Sequence, residues 1–164
     1  MREVFKILLI FLFSITGKNI MSFNLKDYLE RVYKLEDFCG ENAKFKMNAI
    51  IVSFFTLNCK ECMNTEIPAL KRIYNELKSQ KVFIFLIGFG EDRWKVGDYF
   101  SQNPTGFPVL IDPQKKIGFE WGIHAVPNTF IIDKNCRKRF HLQGSRTDYE
   151  EFIKKKVLEI IGER

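Results

Sequence analysis

A chain of 164 residues with 46% hydrophobic residues is long enough for one domain with a sizeable core. Its formal net charge is +6, and the basic residues are spread along the whole sequence. The longest basic runs, residues 137–139 and 154–156, accompany no nucleic-acid-binding motif, so we interpret them as solvated surface and expect no nucleic-acid partner. The sequence contains no internal repeat and no low-complexity tract.

Residues 1–17 have the pattern of a signal peptide. A basic start at Arg2 and Lys6 leads into an apolar run over residues 7–13, which is short for a membrane span of about 20 residues. No Ala-x-Ala cleavage site follows. A cleaved signal peptide, an uncleaved N-terminal membrane anchor and a true start at Met21 therefore all stay open.

This N-terminal pattern favours export. Residues 1–20 are then a signal peptide or an anchor, and residues 21–164 form the domain in the periplasm or on the outer face of the membrane, secreted or membrane-anchored. With Met21 as the true start, the protein would be cytoplasmic. In an oxidising compartment, a dithiol needs a dedicated partner to stay reduced.

The first part of the domain has weak local signals. The apolar residues between positions 24 and 36 recur at helical spacing, which predicts a short helix with Asn24 as its N-cap. We expect a small hairpin next, with residues 33–38 and 44–47 as its strands and a turn at Gly40.

Strands and helices alternate after residue 48. Residues 49–55 and 82–89 are uninterrupted apolar runs, which are typical of strands buried on both faces. Between them, residues 59–79 keep the helical period, and Pro68 predicts a kink inside that helix. Another helix is predicted over residues 91–102.

The remaining elements follow the same order. Residues 107–111 predict a short strand, and Asp112 and Pro113 predict the start of a helix that ends before Gly122. The last predicted elements are a strand after Pro127, a hairpin turn at residues 134–135, a strand over residues 137–143 and a helix over residues 148–161. This order predicts an α/β fold with a central mixed β-sheet flanked by helices on both faces. We assign Trp94 and Trp121 to the core.

Cys59 and Cys62 form a Cys-x-x-Cys motif at the predicted junction of a strand and a helix. The first turn of a helix has unpaired backbone N–H groups and a dipole that favours negative charge, so a cysteine there ionises to the reactive thiolate more readily. The second cysteine lies on the same side of that turn and can close a disulfide. We assign Cys59 as the attacking nucleophile and Cys62 as the resolving thiol; Lys60 favours the Cys59 thiolate and Glu61 opposes it.

These cysteines have two other interpretations. A structural zinc ion needs four ligands, usually as two pairs, and the remaining candidates Cys39, His124, Cys136 and His141 form no second pair. Two inert core cysteines are the other alternative. We expect no metal and no cofactor. Nothing in the sequence places Cys39 and Cys136 within disulfide reach, so we expect them to be free or structural, with pairing in an oxidising compartment as the alternative.

Four stretches carry a family resemblance. They are the strand with Cys59-x-x-Cys62, residues 66–70 (EIPAL), residues 107–112 (FPVLID) and residues 122–133 (GIHAVPNTFIID). Together they resemble the thioredoxin superfamily, and in particular the extracytoplasmic thiol–disulfide oxidoreductases of the TlpA/ResA kind, over residues 33–161. The resemblance implies a thioredoxin fold and a monomeric enzyme of cell redox homeostasis. It also implies cysteine-containing exported proteins as substrates, with a role in cytochrome c maturation among the possibilities, and a membrane protein as electron donor.

The resemblance also implies that the Val126–Pro127 peptide bond is cis and faces the Cys59–Cys62 pair, and that both residues bind substrate. Proline has no N–H, and the turn exposes backbone at Val126, where an extended substrate chain can pair by strand addition. An ordinary trans proline before a strand is the alternative.

The sequence departs from the family pattern at three places. Asn58 replaces the usual tryptophan before the first cysteine, which removes a hydrophobic platform, and Ser53 replaces the buried acid of thioredoxins proper. Glu66 is then the candidate for proton transfer to Cys62, because the resembling proteins carry a glutamate on this helix. The gap from Cys62 to Glu66 is one residue longer than their pattern, and one residue turns an α-helix by about 100°. A solvated Glu66 is therefore the alternative.

Two other functions were weighed against disulfide exchange. Thr56 stands three residues before Cys59 as in peroxiredoxins, but Val52 occupies the position of their proline, which disfavours a thiol peroxidase. A copper-binding or metalloprotein assembly factor would hold Cu(I) between Cys59 and Cys62 because soft thiolates select it. His124 would then be a third ligand, although we expect it to be a surface histidine. We predict the exchange enzyme; the sequence does not indicate whether it reduces or oxidises its substrates.

Overall fold

Seven strands form one mixed sheet in the computed structural model of the chain, which describes residues 19–163. In chain order the strands are β1 (Asn24–Asp27), β2 (Val32–Lys34), β3 (Ala49–Phe55), β4 (Val82–Phe89), β5 (Val109–Asp112), β6 (Asn128–Asp133) and β7 (Lys138–Gln143). The α-helices are α1 (Ile67–Leu77), α2 (Arg93–Gln102), α3 (Lys116–Glu120) and α4 (Tyr149–Gly162). The strand order across the sheet is β2-β1-β5-β4-β3-β6-β7, and the helices cover both faces, which confirms the predicted α/β fold.

The predicted signal peptide or anchor lies outside the described residues, except for Asn19 and Ile20. Ile20 forms an isolated antiparallel bridge with Arg137, and the Met21 N–H donates to the Cys136 carbonyl at 2.8 Å. The chain therefore enters the domain beside the turn between β6 and β7. Within residues 19–163, no helix combines the length and the apolar character needed to cross a membrane.

The centre of the sheet is β3, which pairs in parallel with β4 and antiparallel with β6. All seven residues of β3 are buried, as expected for a strand covered by helices or loops on both faces. The C-terminal ends of the parallel strands β3, β4 and β5 lie at the same end of the sheet as the N-terminal end of β6. The loop that follows β3 and the loop that precedes β6 therefore lie at this same end of the sheet.

Two hydrophobic cores lie on opposite faces of the sheet. One core packs α1, α2 and α4 against β3 and β4, with Leu70, Phe100 and Ile153 almost fully buried. The other core lies beneath α3 and the N-terminal segment and is rich in phenylalanine. There, Phe38 and Phe23 both contact Phe85 in edge-to-face geometry, with ring centroids 4.9 and 5.1 Å apart. The sequence contains 17 phenylalanines, and six of them are buried in this core.

The prediction of a helix over residues 24–36 is wrong, because this segment forms the β1–β2 hairpin on the edge of β5. Its turn is held by the buried carboxylate of Asp27, which accepts hydrogen bonds from the Leu29 and Arg31 backbone N–H groups. Apolar spacing in so short a segment fits a helix and a strand, and pairing with β5 decides between them. The hairpin predicted over residues 33–47 is also absent, because Leu35–Asp37 form a 3-10 turn and residues 44–47 form no strand.

Two smaller predictions also need correction. The helix predicted to begin at Pro113 begins at Lys116, because residues 113–114 form a turn and the Asp112 carboxylate accepts a hydrogen bond from the Gly118 N–H. Trp94 was assigned to the core but is 73% exposed at the start of α2. Trp121 is half-buried and packs against the phenylalanine-rich core.

A disulfide joins Cys39 to Cys136 across 97 positions of sequence, which corrects the expectation of two unpaired cysteines. Both residues are buried, and their Cα atoms are 5.2 Å apart. The Gly40 N–H donates to the Lys134 carbonyl at 2.7 Å beside the bond. The sequence could not show this proximity, since it arises only when the N-terminal segment crosses the sheet to reach the β6–β7 turn.

Removing this disulfide is expected to lower the free energy of unfolding by about 2–5 kcal/mol, because the bond closes a long loop in the unfolded chain. The measurement is urea unfolding of the oxidised Cys39→Ala/Cys136→Ala variant. The matched control is Cys59→Ala/Cys62→Ala, which removes a disulfide between residues only three positions apart and should cost less. Equal losses in the two variants would contradict the long-loop explanation.

Candidate active site

A second disulfide joins Cys59 and Cys62 just beyond the end of β3, with the Cα atoms 5.2 Å apart. Phe55 ends the strand, residues 56–58 form the connecting turn, and helical backbone begins at Lys60. Cys59 is partly exposed, whereas Cys62 is only 1% exposed. An incoming sulfur atom can therefore reach Cys59 but not Cys62.

The backbone around Cys59 favours a negative charge on its sulfur. The Cys62 N–H donates a hydrogen bond to Cys59 Sγ at 3.1 Å, and the sulfur lies where the helix dipole is positive. Lys60 and Glu61 are both exposed, so water screens their opposing charges. The hydrogen bond and the dipole are consequently the main local influences on the Cys59 thiolate.

Residues Cys62–Glu66 form a π turn inside the helix that leads into α1. The Ile67 N–H bonds to the Cys62 carbonyl five residues earlier, and Pro68, which has no N–H, follows in the first turn of α1. The turn thus takes up one residue more than an α-helical turn would. The extra residue between Cys62 and Glu66 is absorbed here, and α1 continues in regular α geometry.

Deleting Asn64, which is exposed in the middle of the π turn, is expected to convert it to an α turn and change the free energy of unfolding by less than about 1 kcal/mol. The matched control is deletion of the exposed Asn75 in regular α geometry. That deletion rotates the following residues by about 100° and moves Leu77 out of the core, at a cost of about 2 kcal/mol or more. Chemical unfolding of both variants checks this; similar losses would show that the π turn holds no spare residue.

Glu66 is buried at the end of the π turn. It is 1% exposed, and neither carboxylate oxygen has a hydrogen-bond partner among residues 19–163. Burial is the largest influence and raises the pKa of this carboxyl to about 8; the Ser145 hydroxyl approaches and lowers the pKa somewhat, while the Glu61 charge raises it. A carboxyl group with a pKa in this range can both take up and release a proton near neutral pH. The solvated alternative for Glu66 is therefore excluded.

Three buried hydroxyl groups form a hydrogen-bonded chain between the sheet and α4. Thr129 Oγ1 lies 2.9 Å from the Tyr149 hydroxyl oxygen and donates to Ser53 Oγ at 3.3 Å. Burial and the nearby charge of Glu66 raise the pKa of Tyr149, so its hydroxyl stays protonated. Ser53 thus belongs to a neutral network. Sequence reasoning missed Thr129 and Tyr149, because nothing in their local sequence indicates that they meet.

The Val126–Pro127 peptide bond is cis. Asn128 pairs with Phe54, which places Pro127 level with the last residue of β3, at the same end of the sheet as Cys59. Pro127 is buried, and its carbonyl accepts a hydrogen bond from the Gly144 N–H at 2.9 Å. Val126 is partly exposed and contacts both cores.

Glu91 and His124 also lie near this end of the sheet. The Leu57 N–H donates to Glu91 Oε1 at 2.9 Å, which ties the turn before Cys59 to the segment after β4; sequence reasoning missed this contact. His124 is exposed, with its ring 5.9 Å from that of Phe119, in agreement with a surface histidine. In the part of the chain that the structure describes, no three His, Cys, Asp or Glu side chains cluster in a way that could hold a metal ion.

Comparisons with known proteins place this chain among redox proteins. The sequence profile of the AhpC/TSA family matches residues 16–139. "Thiol-disulfide oxidoreductase ResA" of Geobacillus thermodenitrificans is 28% identical over 131 residues, which is 80% of this chain and 71% of the relative. The protein of the same name from Bacillus cereus (strain ATCC 10987 / NRS 248) is 28% identical over 141 residues, or 85% of this chain and 77% of the relative.

Solved structures share the fold. A thiol:disulfide interchange protein of the thioredoxin family from Chlorobium tepidum superposes with a TM-score of 0.71 at 21% identity and covers 88% of this chain and 96% of that chain. StoA from Bacillus subtilis superposes with a TM-score of 0.65 at 18% identity and covers 82% of this chain and 95% of that chain. At these identities the likeness concerns the fold alone.

A Cys-x-x-Cys disulfide at the start of a helix, on a thioredoxin fold, defines a thioredoxin-like oxidoreductase. The profile match spans most of the sequence, and the curated relatives align over at least 80% of it in the two cases above. The chain belongs to the AhpC/TSA family and is a TlpA/ResA-like member of the thioredoxin superfamily.

Proposed function

We propose that the protein exchanges disulfides with other proteins through Cys59 and Cys62. The observation that carries the proposal is the asymmetric pair: Cys59 is reachable and accepts a backbone hydrogen bond, whereas Cys62 is buried. In the reduced protein, the Cys59 thiolate attacks a substrate disulfide, and one substrate sulfur leaves as a thiolate. The Cys62 thiolate then attacks the Cys59 sulfur and releases the second substrate sulfur. Two electrons pass to the substrate, and the Cys59–Cys62 disulfide forms; the reverse sequence oxidises a dithiol substrate.

Glu66 takes the proton that Cys62 must lose before it attacks. The two residues open and close the same π turn, and both are buried. Because burial raises the pKa of Glu66 to about 8, the acid is the main form at neutral pH, and the minor carboxylate form accepts the proton from Cys62. The acid returns this proton in the reverse reaction. The hydroxyl groups of Ser53, Thr129 and Tyr149 stay neutral. Glu66 is therefore the group that takes up and releases the proton of Cys62.

Val126 and Pro127 bind the substrate chain beside the sulfur atoms. Val126 is partly exposed at the end of the sheet where β3 leads into Cys59, and Pro127 offers no N–H to compete for the substrate. An extended segment pairs with the backbone at Val126 by strand addition. Asn58 is exposed next to Cys59, so a polar side chain borders the substrate there.

We place the enzyme outside the cytoplasm, as a monomer, with residues 1–20 as signal peptide or anchor and residues 21–164 as the thioredoxin-like domain. The N-terminal sequence pattern supports this location, and so does the buried Cys39–Cys136 bond, since structural disulfides persist in oxidising compartments. The substrates are exported cysteine-containing proteins, including an apocytochrome c. A membrane protein supplies electrons, because such a compartment does not keep dithiols reduced by itself.

The experiment uses the reduced full chain with Cys62 replaced by serine, so that a mixed disulfide at Cys59 cannot be resolved. It is mixed with a peptide that carries an intramolecular Cys-x-x-Cys-His disulfide, the haem-attachment pattern. We expect a covalent adduct at Cys59 by mass spectrometry, formed faster than with a control peptide in which the histidine is moved away from the cysteines. Equal rates with the two peptides would contradict an apocytochrome c substrate. The absence of an adduct with either peptide would contradict the disulfide-exchange function.

A further inference from the structure

The end of the sheet opposite the active site carries a group of basic side chains. Lys46 lies before β3, Lys81 immediately before β4, Lys134 just after β6 and Arg137 just before β7. We call these four residues the basic pole. The seven residues of β3 separate the basic pole from the active-site end by about 20 Å, at roughly 3.3 Å per residue.

The side chains of the basic pole are exposed and lie outside the salt bridges of the described residues. Lys46, Lys81 and Lys134 line one shared depression, in which Glu41 is the acidic residue. Asp133 and Glu163 line the neighbouring depression with Lys134 and Arg137, but both acids pair with Arg139. The surface around the basic pole therefore keeps a net positive charge.

Backbone hydrogen bonds and a disulfide connect the segments that carry these side chains. The Cys39–Cys136 disulfide lies directly behind the basic pole, and the Gly40 N–H bonds to the Lys134 carbonyl at 2.7 Å. The Asn48 N–H bonds to the Lys81 carbonyl at 2.9 Å, which links the segments that carry Lys46 and Lys81. The basic side chains of these connected segments can therefore contact one flat surface at the same time.

The N-terminal segment reaches the domain at the same place. Ile20 pairs with Arg137, and the apolar run in the sequence ends at Phe13, seven positions earlier. Seven residues span at most about 25 Å when fully extended. If the apolar run enters a membrane, the basic pole therefore cannot lie far from the bilayer surface.

We propose that the basic pole docks on the surface of an anionic phospholipid bilayer and orients the domain so that Cys59 faces away from it. Lysine and arginine side chains close to an anionic membrane gain electrostatic attraction, which fades within a Debye length. The active-site end, about 20 Å further out, stays open to protein substrates. This inference does not rest on the disulfide-exchange function, and its test leaves that function untouched.

The test compares partition of the full chain into phosphatidylcholine vesicles with and without phosphatidylglycerol. The ratio of the two partition coefficients cancels the contribution of the apolar N-terminal segment. Each basic residue near the surface contributes about fivefold, so Lys81→Gln/Lys134→Gln should lower the ratio about 25-fold. The matched control, Lys95→Gln/Lys116→Gln, removes the same charge at the other end of the sheet and should lower the ratio far less.

A second measurement needs no variant. Amine-reactive labelling of the vesicle-bound wild-type chain should modify Lys46, Lys81 and Lys134 several-fold more slowly when phosphatidylglycerol is present, while Lys95 and Lys116 keep their rates. Equal effects of the two double variants, or uniform labelling, would show that only net charge matters and would overturn the proposal. The absence of any preference for phosphatidylglycerol would overturn it as well.

Discussion

Replacing Cys59 with serine is expected to lower the rate of disulfide exchange to that of the thiol buffer alone. Cys59 is the one sulfur of the pair that an incoming disulfide can reach, and in the proposed reaction its thiolate is the attacking species. A serine hydroxyl cannot form the mixed disulfide. The measurement is the rate at which the reduced chain reduces a model disulfide, such as oxidised insulin, at pH 7.

Replacing Cys62 with serine has a different result, which makes it the matched control. Attack by Cys59 still occurs, but the mixed disulfide is not resolved, so a covalent complex accumulates and turnover stops. Both variants lack the same disulfide, and any effect of that loss on folding is common to the two. Retained exchange in Cys59→Ser, or adducts that form at Cys62 instead, would contradict the assigned roles.

Replacing Glu66 with glutamine is expected to remove a pH-dependent loss of stability from the oxidised protein. The pKa of this carboxyl is raised by burial from its ordinary value of 4.5 to about 8. Below pH 4.5, the group is neutral in both the folded and the unfolded chain and has no effect. Between pH 4.5 and 8, the unfolded chain loses the proton while the folded chain keeps it, so the free energy of unfolding falls as the pH rises.

The size of this fall follows from the shift in pKa. At 1.36 kcal/mol per unit, it approaches about 5 kcal/mol near pH 8. The measurement is urea unfolding of the oxidised wild type and of Glu66→Gln at pH 5 and pH 8, and the difference between their pH dependences isolates Glu66. The control Glu120→Gln changes an exposed carboxylate that does not act on Glu66, and it should keep the wild-type pH dependence. An identical pH dependence in wild type and Glu66→Gln would contradict a protonated, buried Glu66.

The parts of the fold that the sequence predicts are those set by local signals. The continuous apolar runs of β3 and β4 indicate strands buried on both faces, and they are. The Cys-x-x-Cys spacing after β3 predicts a disulfide at the start of a helix, and Cys59 and Cys62 form it. Both signals lie within a few residues of the feature they predict, so the rest of the chain need not be known.

The parts that the sequence does not predict depend on distant neighbours. Whether residues 24–27 form a strand is decided by β5, more than 80 positions away, and the Cys39–Cys136 bond by a crossing of the sheet. The hydroxyl groups of Ser53, Thr129 and Tyr149 lie together because β3, β6 and α4 pack against one another there. The π turn is an intermediate case: the extra residue before Glu66 is visible in the sequence, but the way the helix absorbs it is not.

The most direct test is a redox titration of the full chain in thiol buffers of defined potential, with alkylated cysteines counted and located by mass spectrometry. We predict one reversible two-electron transition that maps to Cys59 and Cys62. A midpoint near about −250 mV would indicate a reductant, and one near about −120 mV an oxidant. The buried Cys39–Cys136 disulfide should stay intact through this range. A chain whose Cys59 and Cys62 show no reversible transition, or in which only Cys39 and Cys136 titrate, would contradict the assignment of Cys59–Cys62 as the exchange couple.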